Sequence, residues 1–171
     1  MANISAEELK RMLGLERHPR EGGWFRETWR AEETIPLEAL PAGQYKGPRS
    51  AGTAIYYLLE PDNFSEMHKL ASDEVFHFYL GDPVEMLQLW PDGRARRVVL
   101  GQDVASGQLV QTVVPQDVWQ GTRLAEGGRV ALLGCTVSPG FDYADYASGK
   151  RDELIERWPE WAEMIGRLTR E

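Results

Sequence analysis

At 171 residues, with 42% hydrophobic and 27% charged side chains, the chain has the make-up of one globular domain large enough to bury a core. A formal net charge of −8 repels phosphate and argues against nucleic acid as a partner. No apolar run approaches the roughly 18 residues that span a bilayer, the opening MANISAEELKRM lacks the charged-then-apolar layout of a secretion signal, and the single Cys135 excludes an internal disulfide framework. A cytoplasmic protein without membrane association is the expectation.

Residues 5–13 read as a short helix. Ser5 caps it, Glu8 completes a capping box, Leu9, Met12 and Leu13 form an apolar stripe, and Gly14 ends it. Residues 15–23 are a connector in which His18 reads as a surface or capping residue. The spacing then predicts a strand over 24–30, with Trp24, Arg26, Thr28 and Arg30 on one side and Phe25, Glu27 and Trp29 on the other. A Glu between two aromatics marks an inward-facing charge. Residues 31–49 hold three Pro and two Gly without periodicity, and read as a long loop with a hairpin or a helical turn.

Strands follow over 51–59, 74–80, 84–90, 95–100, 109–114, 118–124 and 130–137, separated by turn residues such as Pro91-Asp92-Gly93. Many short strands at this spacing imply an antiparallel barrel or jelly roll. Residues 150–169 are helical, with Leu154, Trp158, Trp161, Ile165 and Leu168 stepping by three and four, and Pro159 opens the second of two helices there. There is no internal repeat and no linker, so one domain spans residues 1–171.

The chemistry concentrates in FSEMHKLASDEVFHFYLG, residues 64–81. If Glu74 starts the strand there, alternation places Glu74, Phe76, Phe78 and Leu80 on one face and Val75, His77 and Tyr79 on the other. A carboxylate leading an apolar face costs free energy unless a metal, a ligand or a polar group pairs with it, and His68 is the nearest partner. The run from His68 through Glu74 to Gly81 resembles the first motif of the cupin superfamily. It departs from that motif at Leu70, where a second His is usual, and at Asp62, where a Gly is usual. The second motif survives as Pro115, with Asp117 for its Gly and Gln120 for its His. The blocks HPREGGWFRETWR, SDEVFHFYLGDPVEMLQL, VVPQDVWQG and GCTVSPGFDYADY are similar to one subfamily, cupin-5, a domain of unknown function.

That resemblance, which runs from about Leu9 to Leu168, implies a mainly β double-stranded β-helix, a jelly-roll cupin barrel with a short N-terminal helix and C-terminal helices. It also implies a homodimer. It brings His68, Glu74 and Gln120 to one lumen. As a metal site for nickel, zinc, iron or manganese this set is depleted, with one imidazole, one carboxylate and one neutral amide. The alternative is a metal-free cavity in which His68 and Glu74 are catalytic. His77 is a third ligand only if a bulge turns it inward. Arg26, Glu27 and Tyr57 are candidates for the mouth, where an Arg would favour anionic substrates. Phe76 and Phe78, sharing the Glu74 face, and Phe141, in a turn over the rim, are candidate ligand contacts. Asp142 and Asp145 read as solvated, and Cys135 as a small buried hydrophobe.

Two functions stand against each other. One is a small-molecule enzyme, an isomerase or epimerase acting on a sugar or other polar metabolite, with His68 as base and Glu74 orienting it. The other is a metabolite-binding module without catalysis. A metal-dependent cupin enzyme is a third reading, weakened by the depleted ligand set.

Overall fold

Residues 4–170 are described by the computed structural model, and in them short strands of alternating sequence pair throughout as antiparallel neighbours. A six-stranded sheet runs in the order β1 (Glu16–Arg17), β2 (Trp24–Arg30), β5 (Thr53–Leu59), β12 (Ala131–Ser138), β7 (Asp73–Gly81), β10 (Gln111–Val114). A five-stranded sheet faces it in the order β13 (Ala147–Ser148), β6 (Phe64–Lys69), β11 (Trp119–Leu124), β8 (Val84–Leu89), β9 (Ala95–Leu100). The segment expected to be a loop with local structure carries a two-stranded ribbon, β3 (Thr34–Ile35) and β4 (Arg49–Ser50), and a 3₁₀ turn at Leu37–Ala39.

The space between the sheets is filled by side chains from both, among them Leu59, Phe76, Phe78, Met86, Leu100, Leu124 and Leu133. Burial of this kind contributes roughly 1.5–3 kcal/mol for each large apolar side chain. The outer face of the five-stranded sheet is covered by the C-terminal helices. Leu154 and Trp158 of α2 (Arg151–Arg157) and its cap, with Ile165 and Leu168 at α3 (Ala162–Arg167), pack on Met67, Leu87 and Leu89. Pro159 opens a 3₁₀ turn between the two helices, as its missing N–H allows. At the N-terminus, Ser5 and Glu8 form the expected capping box of α1 (Ala6–Leu13), and Leu9 seats on Leu58 and Leu132 of the outer six-stranded face. Met12, expected in the apolar stripe, is instead exposed.

Two irregularities overturn simple alternation. Glu27 pairs with Ile55 and Trp29 with Ala54, so Thr28 is an extra residue, a β-bulge. Beyond it the faces exchange: Arg30 joins Phe25 and Glu27 on the inner side, and Trp29 is exposed. In β7, Leu80 pairs with Leu132 but Phe78 with Leu133, leaving Tyr79 unmatched. Leu80, expected beside Glu74, therefore packs outside on the α1 cluster. Strand β6 escapes pattern reading because Ser65, Glu66 and His68 are all buried within it, which erases the polar-out signal.

Candidate functional site

A cavity of about 290 Å³ opens between the sheets at the end where β2, β5, β7 and β12 meet β6. Its floor is polar, with His18, Glu21, His68 and Glu74, and its walls are apolar, with Phe25, Ile55, Leu70, Val137 and Phe141. Apolar walls around a few convergent polar groups are the usual form of a small-molecule site.

His18 and Glu21 come from the supposed connector. Gly22 has φ +104°, and a Cβ there would run into the Phe64 carbonyl oxygen. Gly23 follows at φ +69°, and the Tyr57 hydroxyl donates to the Gly22 carbonyl at 2.7 Å. Only glycine fits so close a pass, and the pass turns the preceding residues into the lumen. There His18 Nδ1 accepts from the backbone N–H groups of Arg20 and Glu21, so its proton sits on Nε2. Burial holds this imidazole below its usual pKa, and the Glu21 carboxylate opposes that shift. One Glu21 oxygen accepts from the Ser65 hydroxyl. The other, Oε2, stands 3.9 Å from His18 Nε2 and 3.9 Å from His68 Nε2.

His68 has the opposite tautomer. Its Nδ1 lies 2.7 Å from the Glu66 carbonyl, an acceptor only, so Nδ1 carries the proton and Nε2 offers a lone pair. That nitrogen is 3.4 Å from the Gln120 amide, its cross-strand neighbour in β11. Tyr146 stacks on the ring at 4.9 Å and donates its hydroxyl to Glu66 Oε1. The Gln120 amide also donates to Glu74 Oε2. Burial, reinforced by the nearby Glu21 charge, raises Glu74 to about 7, against the opposing pull of His68. The Cys135 thiol adjoins this carboxyl, and burial lifts its own pKa well above the ordinary value. It is buried and lines the cavity.

At the mouth the bulge decides which arginine is present. Arg26, expected there, lies outside over the Tyr56 ring. Arg30 takes its place, but its guanidinium forks onto both Glu27 oxygens at 3.0 and 2.7 Å and donates to the Phe141 carbonyl. Phe141 and Glu27 line the cavity as expected. Tyr57 is fully buried beneath the Gly22 turn, and burial raises its pKa well above the ordinary value. Phe76 and Phe78 do share the inner face with Glu74, yet they lie deeper, inside the apolar cluster between the sheets, and do not line the cavity. His77 points out of the barrel, as alternation required, and meets Gln111 at 3.1 Å. Asp145, expected to be solvated, is buried against Arg49 through two contacts of 2.6 Å.

The metal expected as one alternative needs a converging donor set. Among the described residues no group of three or more His, Cys, Asp or Glu is arranged to hold a metal ion. His18 Nε2 is protonated, Glu74 is half-protonated near neutrality, and Gln120 aims its amide nitrogen at both His68 and Glu74. These residues do not fit a metal centre.

His18, Glu21 and Arg30 were not singled out as cavity residues by pattern, whereas Tyr143 was a candidate to close the pocket and does line the cavity. The available signal was Glu21-Gly22-Gly23, an acid beside a glycine pair, where the chain approaches another backbone closely.

Facing antiparallel sheets, an end-on lumen cavity and a His–Glu pair at its floor define a cupin-type barrel. Residues 7–148 match Cupin_5, described as cupin superfamily (DUF985), and the chain belongs to that family. An uncharacterized protein of Saccharomyces cerevisiae, YML079W, is 33% identical over 145 residues, covering 79% of this chain and 71% of the relative. A hypothetical protein from Leishmania major superposes with a TM-score of 0.85 at 32% identity, over 98% of this chain and all of the other. Protein SO0799 from Shewanella oneidensis gives 0.83 at 29% identity, over 98% of each chain. Oxalate decarboxylase from Bacillus subtilis gives 0.53 at 14% identity, over 91% of this chain and 37% of its own, a likeness of fold alone.

Proposed function

We propose that the lumen cavity binds a small polar metabolite and moves a proton on it, with His68 as base and Glu74 as acid. The observation that carries this is the pair of proton states on one floor. His68 Nε2 is a lone-pair base because Nδ1–H is committed to the Glu66 carbonyl, while burial holds a proton on Glu74 up to a pH of about 7. An imidazole nitrogen with a free lone pair and a carboxyl that keeps its proton up to about pH 7, both lining one cavity, suit abstraction and return of a proton beside a carbonyl, the isomerase or epimerase class, on a sugar-like or related substrate. Gln120 joins the two by hydrogen bonds to both, and the Glu66 carbonyl, not Glu74, orients the imidazole.

The test is solvent exchange. A panel of small carbonyl metabolites is incubated with the protein in deuterated water and read by proton NMR for label at the carbon next to the carbonyl. Exchange by the native protein and its loss in His68→Ala is the expected result. Full exchange by a folded His68→Ala protein would assign the base elsewhere. Binding by both proteins with no exchange would leave a non-catalytic module.

A further inference from the structure

We propose that the group this cavity recognises is a cationic, N–H-bearing nitrogen group such as an amidinium or ammonium, carried on a short apolar or aromatic stem. The inference rests on reading the cavity as a ligand site but not on proton transfer by His68. Four carboxyl side chains, Glu21, Glu27, Glu74 and Asp142, line the cavity, against one arginine. That arginine is already paired: Arg30 holds both Glu27 oxygens and donates to the Phe141 carbonyl, so its charge is offset before any ligand arrives. The cations behind the floor are engaged as well. Arg170 pairs with Glu66 at 3.3 Å, and Arg20 lies over the Tyr143 ring.

Two acceptor atoms at the floor, Glu21 Oε2 and His68 Nε2, are by contrast weakly matched. Glu21 is 9% exposed, and among the described residues no hydrogen bond is formed to its Oε2; two imidazole nitrogens stand off at 3.9 Å. Among the described residues the hydrogen-bond contact of His68 Nε2 is the long one to Gln120, at 3.4 Å. Gln120, 1% exposed, contacts His68 and Glu74 but is not among the residues that line the cavity, and among the described residues its Oε1 has no partner. A buried acceptor left unmatched costs free energy, so a floor that concentrates acceptors is made for a ligand that brings donors. Phe25, Phe141 and Tyr143 supply ring surface for the stem and for the cation itself. The expectation of an anionic substrate depended on Arg26 at the mouth, and Arg26 lies outside the cavity.

Benzamidine, benzyl alcohol and benzoate share one ring and differ in charge. Their affinities for the native protein are measured by titration calorimetry at neutral pH and low salt. Benzamidine is expected to bind at least about tenfold more tightly than benzoate, and Glu21→Gln to erase most of that margin while the exposed Glu156→Gln does not. Benzoate binding as well as benzamidine, or no binding of benzamidine at millimolar concentration, overturns the proposal, and the native-protein comparison stands even if Glu21→Gln fails to fold. A benzamidine margin that persists in folded Glu21→Gln also overturns it. None of these results bears on the exchange experiment with His68→Ala, so the two readings fail separately.

Discussion

The Gln120 amide of one sheet donates to the Glu74 carboxyl of the other, so a single hydrogen bond crosses the lumen at the cavity floor. After the pull of His68, it is the next support for charge on a carboxyl that burial otherwise keeps protonated. Gln120→Leu removes that support while filling similar volume. The variant is expected to lose about 1–3 kcal/mol of stability at alkaline pH, and less at acid pH, where Glu74 is neutral in both proteins. Urea midpoints on either side of pH 7 check this. An equal loss at both would show that the amide does not hold the charge.

Glu74 also links stability to pH. Its folded pKa, about 7, lies above the ordinary 4.5, so the folded state retains a proton that the unfolded chain releases. That contribution is fully present below about pH 4.5 and is lost as pH rises toward 7, a change on the order of 3 kcal/mol. The groups facing Glu74 are Glu21, which raises its pKa, and His68, Gln120 and Cys135, which lower it. Glu74→Gln, which cannot ionise, is expected to flatten the stability profile across this window, as read by thermal unfolding in a pH series. An unchanged slope would remove Glu74 as its source.

Arg49 and Asp145 form an ion pair in which each side chain is only 5% exposed. Removing one partner strands a buried charge, so Arg49→Met is expected to cost about 3–5 kcal/mol, and Arg49→Met with Asp145→Leu less than the sum of the single changes. Because Asp145 ends the 3₁₀ turn Tyr143–Asp145, which carries Tyr143 into the cavity wall, the single variant is also expected to weaken ligand binding. Denaturant unfolding of the double-mutant cycle measures the first effect, and calorimetry with benzamidine the second.

Gly81, at φ +103°, ends β7, and a methyl group there would run into the Val130 carbonyl oxygen. Gly127 has φ +78° but open space around it. Gly81→Ala is expected to cost at least about 2 kcal/mol and Gly127→Ala about 1, the difference being the clash rather than the backbone angle. Equal losses in urea unfolding would show that the loop yields to the added methyl.

Much of this protein was readable along the chain. Short strands with period-two apolar residues, Gly and Pro turns, the Ser5 cap and the helical spacing after Lys150 determine a two-sheet barrel with helices at its ends. These are local signals, because each depends only on which side chains neighbour one another along a strand or helix. The meeting of His68, Glu74 and Gln120 was instead implied by the resemblance to cupin motifs, and the three are joined by hydrogen bonds of the Gln120 amide.

What the tertiary structure alone decided depends on pairs of strands. The bulge at Thr28 exists only because β2 is matched against β5, and it exchanged Arg26 for Arg30 at the mouth. The depth of Phe76 and Phe78 was set by the opposing sheet, which closes over them, while Glu74, on the same face, meets the cavity. His18 and Glu21 entered the floor because Gly22 and Gly23 let one backbone lie against another far away in sequence. Alternation assigns a face while pairing is regular; register, depth and close approach belong to the partner strand, and no single segment encodes them.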